Sequence, residues 1–187
     1  LVLPVYDAIR CRVDPKGWMA QCMDAYSFAD NTPAEQTIWG QALIASLSRV
    51  LESAERNLND ALRLMDGDES LQISYAPLFM ENRRAVATLR EYTAWDEIYE
   101  RRTLDFGRLR PVRKPQDAER QERAKALREA AKETVKDALK PFYAPSARVM
   151  GDLKYSASAI GGLLELVQLF ETRYTQEKRR RKLMDFS

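Results

Sequence analysis

The side chains best suited to chemistry stand together near the end of the chain, at Lys178-Arg179-Arg180-Arg181-Lys182. Successive cations at the end of a helical pattern can meet phosphate oxygens, and each such contact releases a counterion from a nucleic-acid backbone. The same run also offsets the negative end of a helix dipole while staying solvated, which is the commoner role of such runs. A looser group, Arg110, Arg113 and Lys114, lies mid-chain. Both groups are candidate nucleic-acid-backbone contacts, the second more loosely, and such contacts bind without reading sequence.

Other chemistry is harder to build. The 187 residues contain no histidine, which removes Ser-His-Asp and Cys-His catalysis and the commonest general acid–base. Cys11 and Cys22 lack the spacing of a zinc site and read as small, partly buried residues in a reducing compartment. No Gly-x-x-x-x-Gly-Lys-Ser/Thr phosphate loop occurs, and the acidic neighbours Asp66, Asp68, Glu69, Asp96 and Glu97 read as turn and helix-start residues. No catalytic, cofactor-binding or metal-binding residue is therefore assigned within the chain. Trp18, Trp39, Trp95, Tyr75, Tyr92, Tyr99 and Tyr143 could stack on bases if exposed, but most are expected in the core.

Composition fits a folded body: 45% hydrophobic, 31% charged, net charge +2. The sign is uneven. Residues 1–90 carry 9 basic and 12 acidic side chains, whereas residues 91–187 carry 21 and 16, so the basic excess lies in the half that holds both candidate groups. No run of eighteen apolar residues suggests a membrane span, and no membrane partner is expected.

The elements that must position these residues read as helices throughout. Leu3 to about Arg12 is a short amphipathic piece, and Asp14-Pro15 starts the next helix with a cap and an N-terminal proline. Thr32-Pro33-Ala34-Glu35 predicts a capping box opening a helix of roughly thirty residues, about 45–50 Å long, that stops at Asp66-Gly67. A further helix is expected from about Ile73 to Glu91 with Pro77 in its first turn, and Thr93-Ala94-Trp95 restarts another. Residues 104–115, with Gly107, Pro111 and Pro115, read as a linker that allows two sub-units, 1–103 and 116–187. Residues 116–140 read as a charged surface helix that projects from the body. Pro145-Ser146 opens a short helix to about Tyr155, and a last helix runs from Ala157 to Arg181, with Gly161-Gly162 allowing close contact. The expected fold class is all-α: an irregular multi-helix subdomain.

The last twenty residues carry a family resemblance. Phe170, Tyr174, Lys178 and Arg179, followed by Asp185-Phe186-Ser187, match a Phe-x-x-x-Tyr-x-x-x-Lys-Arg/Lys stretch leading to Asp-Phe-Ser. This pattern resembles superfamily 1 DNA helicases of the UvrD kind, and more closely the AddA/RexA component of the bacterial ATP-dependent helicase–nuclease. Asp14-Pro15 with Trp18, and Trp95-Asp96-Glu97 followed by Phe106-Gly107-Arg108-Leu109, are similar in order. The start at Leu1 and the cut after Ser187 fit a piece of a longer protein.

The resemblance implies a helical insertion in the first motor domain, the subdomain often termed 1B, beside the DNA track. It implies a parent that is an ATP-dependent DNA helicase and exonuclease, a hydrolase acting in DNA repair and recombination in the bacterial cytoplasm. ATP and Mg2+ are implied for that parent, and none for these residues. The implied partners are DNA, the rest of the motor and an AddB/RexB-type protein. The alternative is a stand-alone helical protein–protein interaction module, docking through residues 116–140.

Overall fold

The computed structural model describes residues 1–112 and 117–181. Seven α-helices and one 3-10 turn make up its regular structure, with no strand among the described residues. The fold is all-α. The chain divides into two compact units, Leu1–Thr32 with Arg148–Ser187, and Pro33–Ala147. The division does not fall at 104–115; residues 104–112 lie inside the second unit.

In the first unit, α1 (Val2–Arg10) and α2 (Pro15–Asp24) contribute to one core with α7 (Ser146–Arg180), which belongs to this unit from Arg148 onward. Asp14 caps α2 by accepting the Gly17 N–H at 2.9 Å. Ile9, Met19, Leu164 and Val167 are buried together, with Val2, Val5, Tyr6, Trp18, Cys22 and Ile160 packed around them. A Cβ on Gly161 would stand 3.3 Å from the Met23 methyl, so the small residue permits the close approach expected of it; Gly162 faces open space. No break occurs near Tyr155. α7 is one helix of 35 residues, and the Ser156 hydroxyl bonds back to the Asp152 carbonyl at 2.8 Å within it.

The second unit is built on α3 (Ile38–Leu64), flanked by α4 (Glu69–Arg90) and α6 (Ala118–Leu139). Leu47, Leu51, Ala54, Leu58, Ala61 and Met65 recur at alternating four- and three-residue steps and are all buried. Such spacing keeps one seam of the helix facing its neighbours along its length. α6 supplies Gln121, Ala124, Arg128, Ala131, Val135 and Leu139 to the interior. Its alanines allow α3 to come close, so α6 does not project as its charge content suggested.

Two helix starts differ from expectation. Thr32 does not cap the long helix: Ala34–Gln36 forms a 3-10 turn, and Thr37 caps α3 by accepting the Gly40 N–H at 3.0 Å. α4 begins at Glu69 behind the Asp68 cap, which leaves Pro77 inside the helix. The Ile73 carbonyl that loses its helical partner there lies on the exposed side, where water can satisfy it. Gly67 makes the turn between α3 and α4 with φ +86°, a left-handed conformation suited to glycine.

Three starts in this unit cap one another. The Glu35 carboxylate accepts the Trp95 N–H at 3.4 Å, at the start of α5 (Trp95–Glu100). Asp96 in α5 accepts the Ser146 N–H at 2.6 Å, at the start of α7. The Ser146 hydroxyl accepts the Ala34 N–H at 2.8 Å, closing the ring on the 3-10 turn. Trp95 locks this corner by packing on Phe142 at 4.5 Å and donating its indole N–H to the Ala144 carbonyl at 2.9 Å. An orphan N–H at each of the three starts thus finds an acceptor.

Candidate nucleic-acid interface

The cationic end of α7 is anchored by aromatics. Phe170, Tyr174 and Lys178 recur every four residues and so share one face. Phe170 and Tyr174 are stacked at 5.6 Å, and Tyr6 of α1 meets them edge-on at 5.0 and 6.2 Å. The Lys178 ammonium lies 5.0 Å from the Tyr174 ring centroid, a cation–π contact. Tyr174 is part-covered, at 38% exposure.

The run is not uniform in charge. Arg180 meets Glu177 through two hydrogen bonds, at 2.7 and 2.9 Å, and Arg181 meets it at 2.5 Å. Those bonds, Arg180's first and then Arg181's, hold the Glu177 carboxyl below its usual range. Arg179 is exposed. The candidate site here is therefore Lys178 on an aromatic support, Arg179, and Arg180 with Arg181 sharing one counter-charge. Lys182 lies outside the described residues, as do Asp185, Phe186 and Ser187.

Of the mid-chain group, Arg110 is described and exposed, while Arg113 and Lys114 lie outside the described residues. Arg110 belongs to the second unit, where it lines a groove with Tyr75, Arg108, Leu109, Pro111 and Lys125. Sequence reasoning did not single out Arg108 or Lys125. The periodicity of α6 could have flagged Lys125, which follows the buried Ala124 and therefore borders the packed face.

The segment leading into Arg108 and Arg110 is held by Arg128, which is 4% exposed. Its guanidinium donates to the Phe106 carbonyl, to the Gly107 carbonyl at 2.9 Å and to Asn82 Oδ1 at 2.9 Å. It lies between the Phe79 and Phe106 rings, 5.6 and 5.8 Å from their centroids. Burial pushes its pKa down, with Glu129 and then Asp105 opposing, but a guanidinium stays charged at neutral pH. Gly107 turns the chain at φ +66°, and its N–H is taken by the Asp105 carboxylate at 2.7 Å. Within the region read as a linker, Phe106 and Gly107 are thus pinned to the second unit.

The remaining candidates resolve differently. Trp95 and Tyr75 are core residues, whereas Trp39 and Tyr143 are exposed at 39% and 57%. Tyr92 and Tyr99 carry the guanidinium groups of Arg101 and Arg102 over their rings at 4.2 and 3.9 Å. Asp68 and Asp96 accept helix-start N–H groups. Among the described residues, no three His, Cys, Asp or Glu side chains are gathered to hold a metal ion, and no helix is long and apolar enough to cross a membrane.

No family model matches the chain. Curated relatives do. The whole chain aligns at 25% identity with the A-subunit of the ATP-dependent helicase/nuclease of Acetivibrio thermocellus, covering 16% of that protein. It aligns at 30% identity with the protein of the same name from Geobacillus thermodenitrificans, covering 15% of it, and at 27% with that of Moorella thermoacetica, covering 14%. The chain thus spans about a sixth of the length of the curated relatives it matches. Along its whole length it is similar to one segment of the ATP-dependent helicase/nuclease A-subunit.

Proposed function

We propose that these residues form an accessory helical subdomain of an ATP-dependent DNA helicase and exonuclease, and that they guide DNA through backbone contacts. The whole-length similarity to the helicase/nuclease A-subunit carries this reading. The aromatic-supported cations at the end of α7 supply a means: Lys178 and Arg179 offer charge, and Arg180 and Arg181 can exchange Glu177 for phosphate, since exposed ion pairs are weak. Binding of this kind is salt-dependent and indifferent to sequence.

In this reading the parent works in the bacterial cytoplasm on double-strand breaks, with an AddB/RexB-type partner and the rest of the motor. ATP and Mg2+ serve the parent through residues outside this segment. The chain contains no phosphate loop, and its described carboxylates are not gathered as a ligand set, so no step through either group is assigned to it. The alternative is docking of a protein partner through the charged outer face of 116–140; the residues of α6 that pack inward are buried in its own unit.

The test is binding of fluorescent single-stranded and forked DNA by this chain at low and moderate salt. Steeply salt-sensitive binding, lost in the double variant Lys178→Gln/Arg179→Gln, supports direct contact. Absence of binding at low salt overturns it and leaves a structural brace.

A further inference from the structure

We infer that the groove above Tyr75, walled by Arg108, Arg110 and Lys125, seats a phosphodiester of a nucleic-acid strand, and that Arg128 is the residue that sets it. The inference rests on the DNA-guiding reading above but adds a second site, in a different unit, with its own residues. The groove is shallow and open to solvent, with about 570 Å³ of accessible space. Three cations line it. Lys125 has a neighbouring acid, Glu122, at 2.7 Å, but Glu122 is 70% exposed and can be exchanged for phosphate at little cost.

A fourth positive charge, Arg128, stands three residues on from Lys125 in α6. Arg128 is buried, its close polar partners are the neutral oxygens of Asn82, Phe106 and Gly107, and no carboxylate lies within ion-pair distance among the described residues. Asp105, whose carboxylate accepts the Gly107 N–H, and Glu129 offset part of its charge from farther away. A buried guanidinium whose nearest acids, Glu129 and Asp105, stand beyond ion-pair distance keeps part of its field, which favours an anion nearby.

The floor decides which part of a nucleic acid fits. Tyr75 is 1% exposed, and its hydroxyl accepts the Gln121 amide at 2.9 Å, so no ring face is open for a base to stack on. The groove therefore meets backbone, not base. Arg128 acts as a positioning residue: it fixes the Phe106 and Gly107 carbonyls, and Arg108 follows directly in the chain.

The experiment compares this chain with Arg108→Gln/Arg110→Gln, Arg128→Lys and Lys178→Gln/Arg179→Gln, using anisotropy of a mixed-sequence single-stranded oligonucleotide over a salt series. The Arg108→Gln/Arg110→Gln change is expected to weaken binding roughly tenfold at low salt and lower the log–log salt slope by about 1.4, the loss of two phosphate contacts. Arg128→Lys keeps every charge, yet it is expected to lower the slope too, because the loop is released; a purely structural role would lower the melting temperature and leave the slope unchanged. Should Arg128→Lys fail to fold by circular dichroism, the exposed Arg108→Gln/Arg110→Gln pair still decides. Unchanged affinity and slope in that pair, with binding lost in Lys178→Gln/Arg179→Gln, overturns the groove and spares the wider reading. No binding by the unaltered chain at low salt overturns both.

Discussion

The Asp96 carboxylate accepts the backbone N–H of Ser146 at 2.6 Å, fifty residues away in the chain, while the Ser146 hydroxyl itself accepts from Ala34. Each of these residues thus serves another helix start as well as belonging to its own. Asp96→Ala is expected to destabilise the chain by about 1–2 kcal/mol, the usual cost of losing a cap. Asp96→Ala and Ser146→Ala are further expected to be non-additive, since both act on one ring. Urea unfolding of the two single variants and the double variant measures both effects; simple additivity would mean that the ring does not act as a unit.

Arg128 should be among the least replaceable residues. Arg128→Leu leaves the Asn82 amide oxygen and two loop carbonyls without a donor, which is expected to cost roughly 2–4 kcal/mol. Asn82→Ala, which removes one acceptor and leaves two, should cost less. Equal losses in chemical denaturation would show that the loop carbonyls contribute little.

Gly40 tolerates no side chain. A Cβ there would stand 1.9 Å from the Ala34 carbonyl oxygen, in the backbone of the 3-10 turn. Gly40→Ala is expected to cost about 3 kcal/mol or more, because backbone rather than a flexible side chain must give way. In contrast, Gly151→Ala meets nothing within 4 Å and replaces glycine inside α7, so it should stabilise by roughly 0.5–1 kcal/mol. Thermal melts of the pair read both signs.

Glu177 moderates the cationic run. Glu177→Gln is expected to raise DNA affinity a few-fold at low salt and to steepen the salt dependence, since Arg180 and Arg181 no longer share a counter-charge. The pH dependence has a definite sign. Glu177 in the folded chain titrates below its ordinary value, so its contribution to the end of α7 is present above the usual carboxylate range. That contribution is lost as pH falls through the depressed value. An NMR titration of the Glu177 carboxyl checks the direction; an ordinary or raised pKa would remove the basis of this prediction.

The residues that betrayed the fold were those whose signals are local. Asp14-Pro15, Asp66-Gly67 and the apolar steps of α3 each act within a few positions, and each appears in the structure as read. Thr32 misled because Thr37, five residues on, is the side chain that reaches an α-helical N–H. α6 misled because its buried face mixes small alanines, Val135 and Leu139 with Gln121 and Arg128, polar types that ordinarily mark a solvated face. The tail of cations was plain in the sequence, whereas the groove was not: Tyr75, Arg108 and Lys125 are joined only by tertiary packing. Glu35 and Asp96 gave no warning that the N–H groups they accept lie in other elements.

The capping ring also constrains the order of assembly. Its bonds join residues 50, 60 and 112 positions apart, so none can form locally, and Ser146 is needed for two of the three. During synthesis from the N-terminus, the Ala34 amide and the Asp96 carboxylate must wait until the ribosome has released Ser146. Nascent chains stalled before that residue should keep helical content in α3 and α4 while exchanging the Ala34 amide freely. The corner around Trp95 would then be a late-closing clasp, and its completion would mark the moment at which residues 33–147 become resistant to proteolysis.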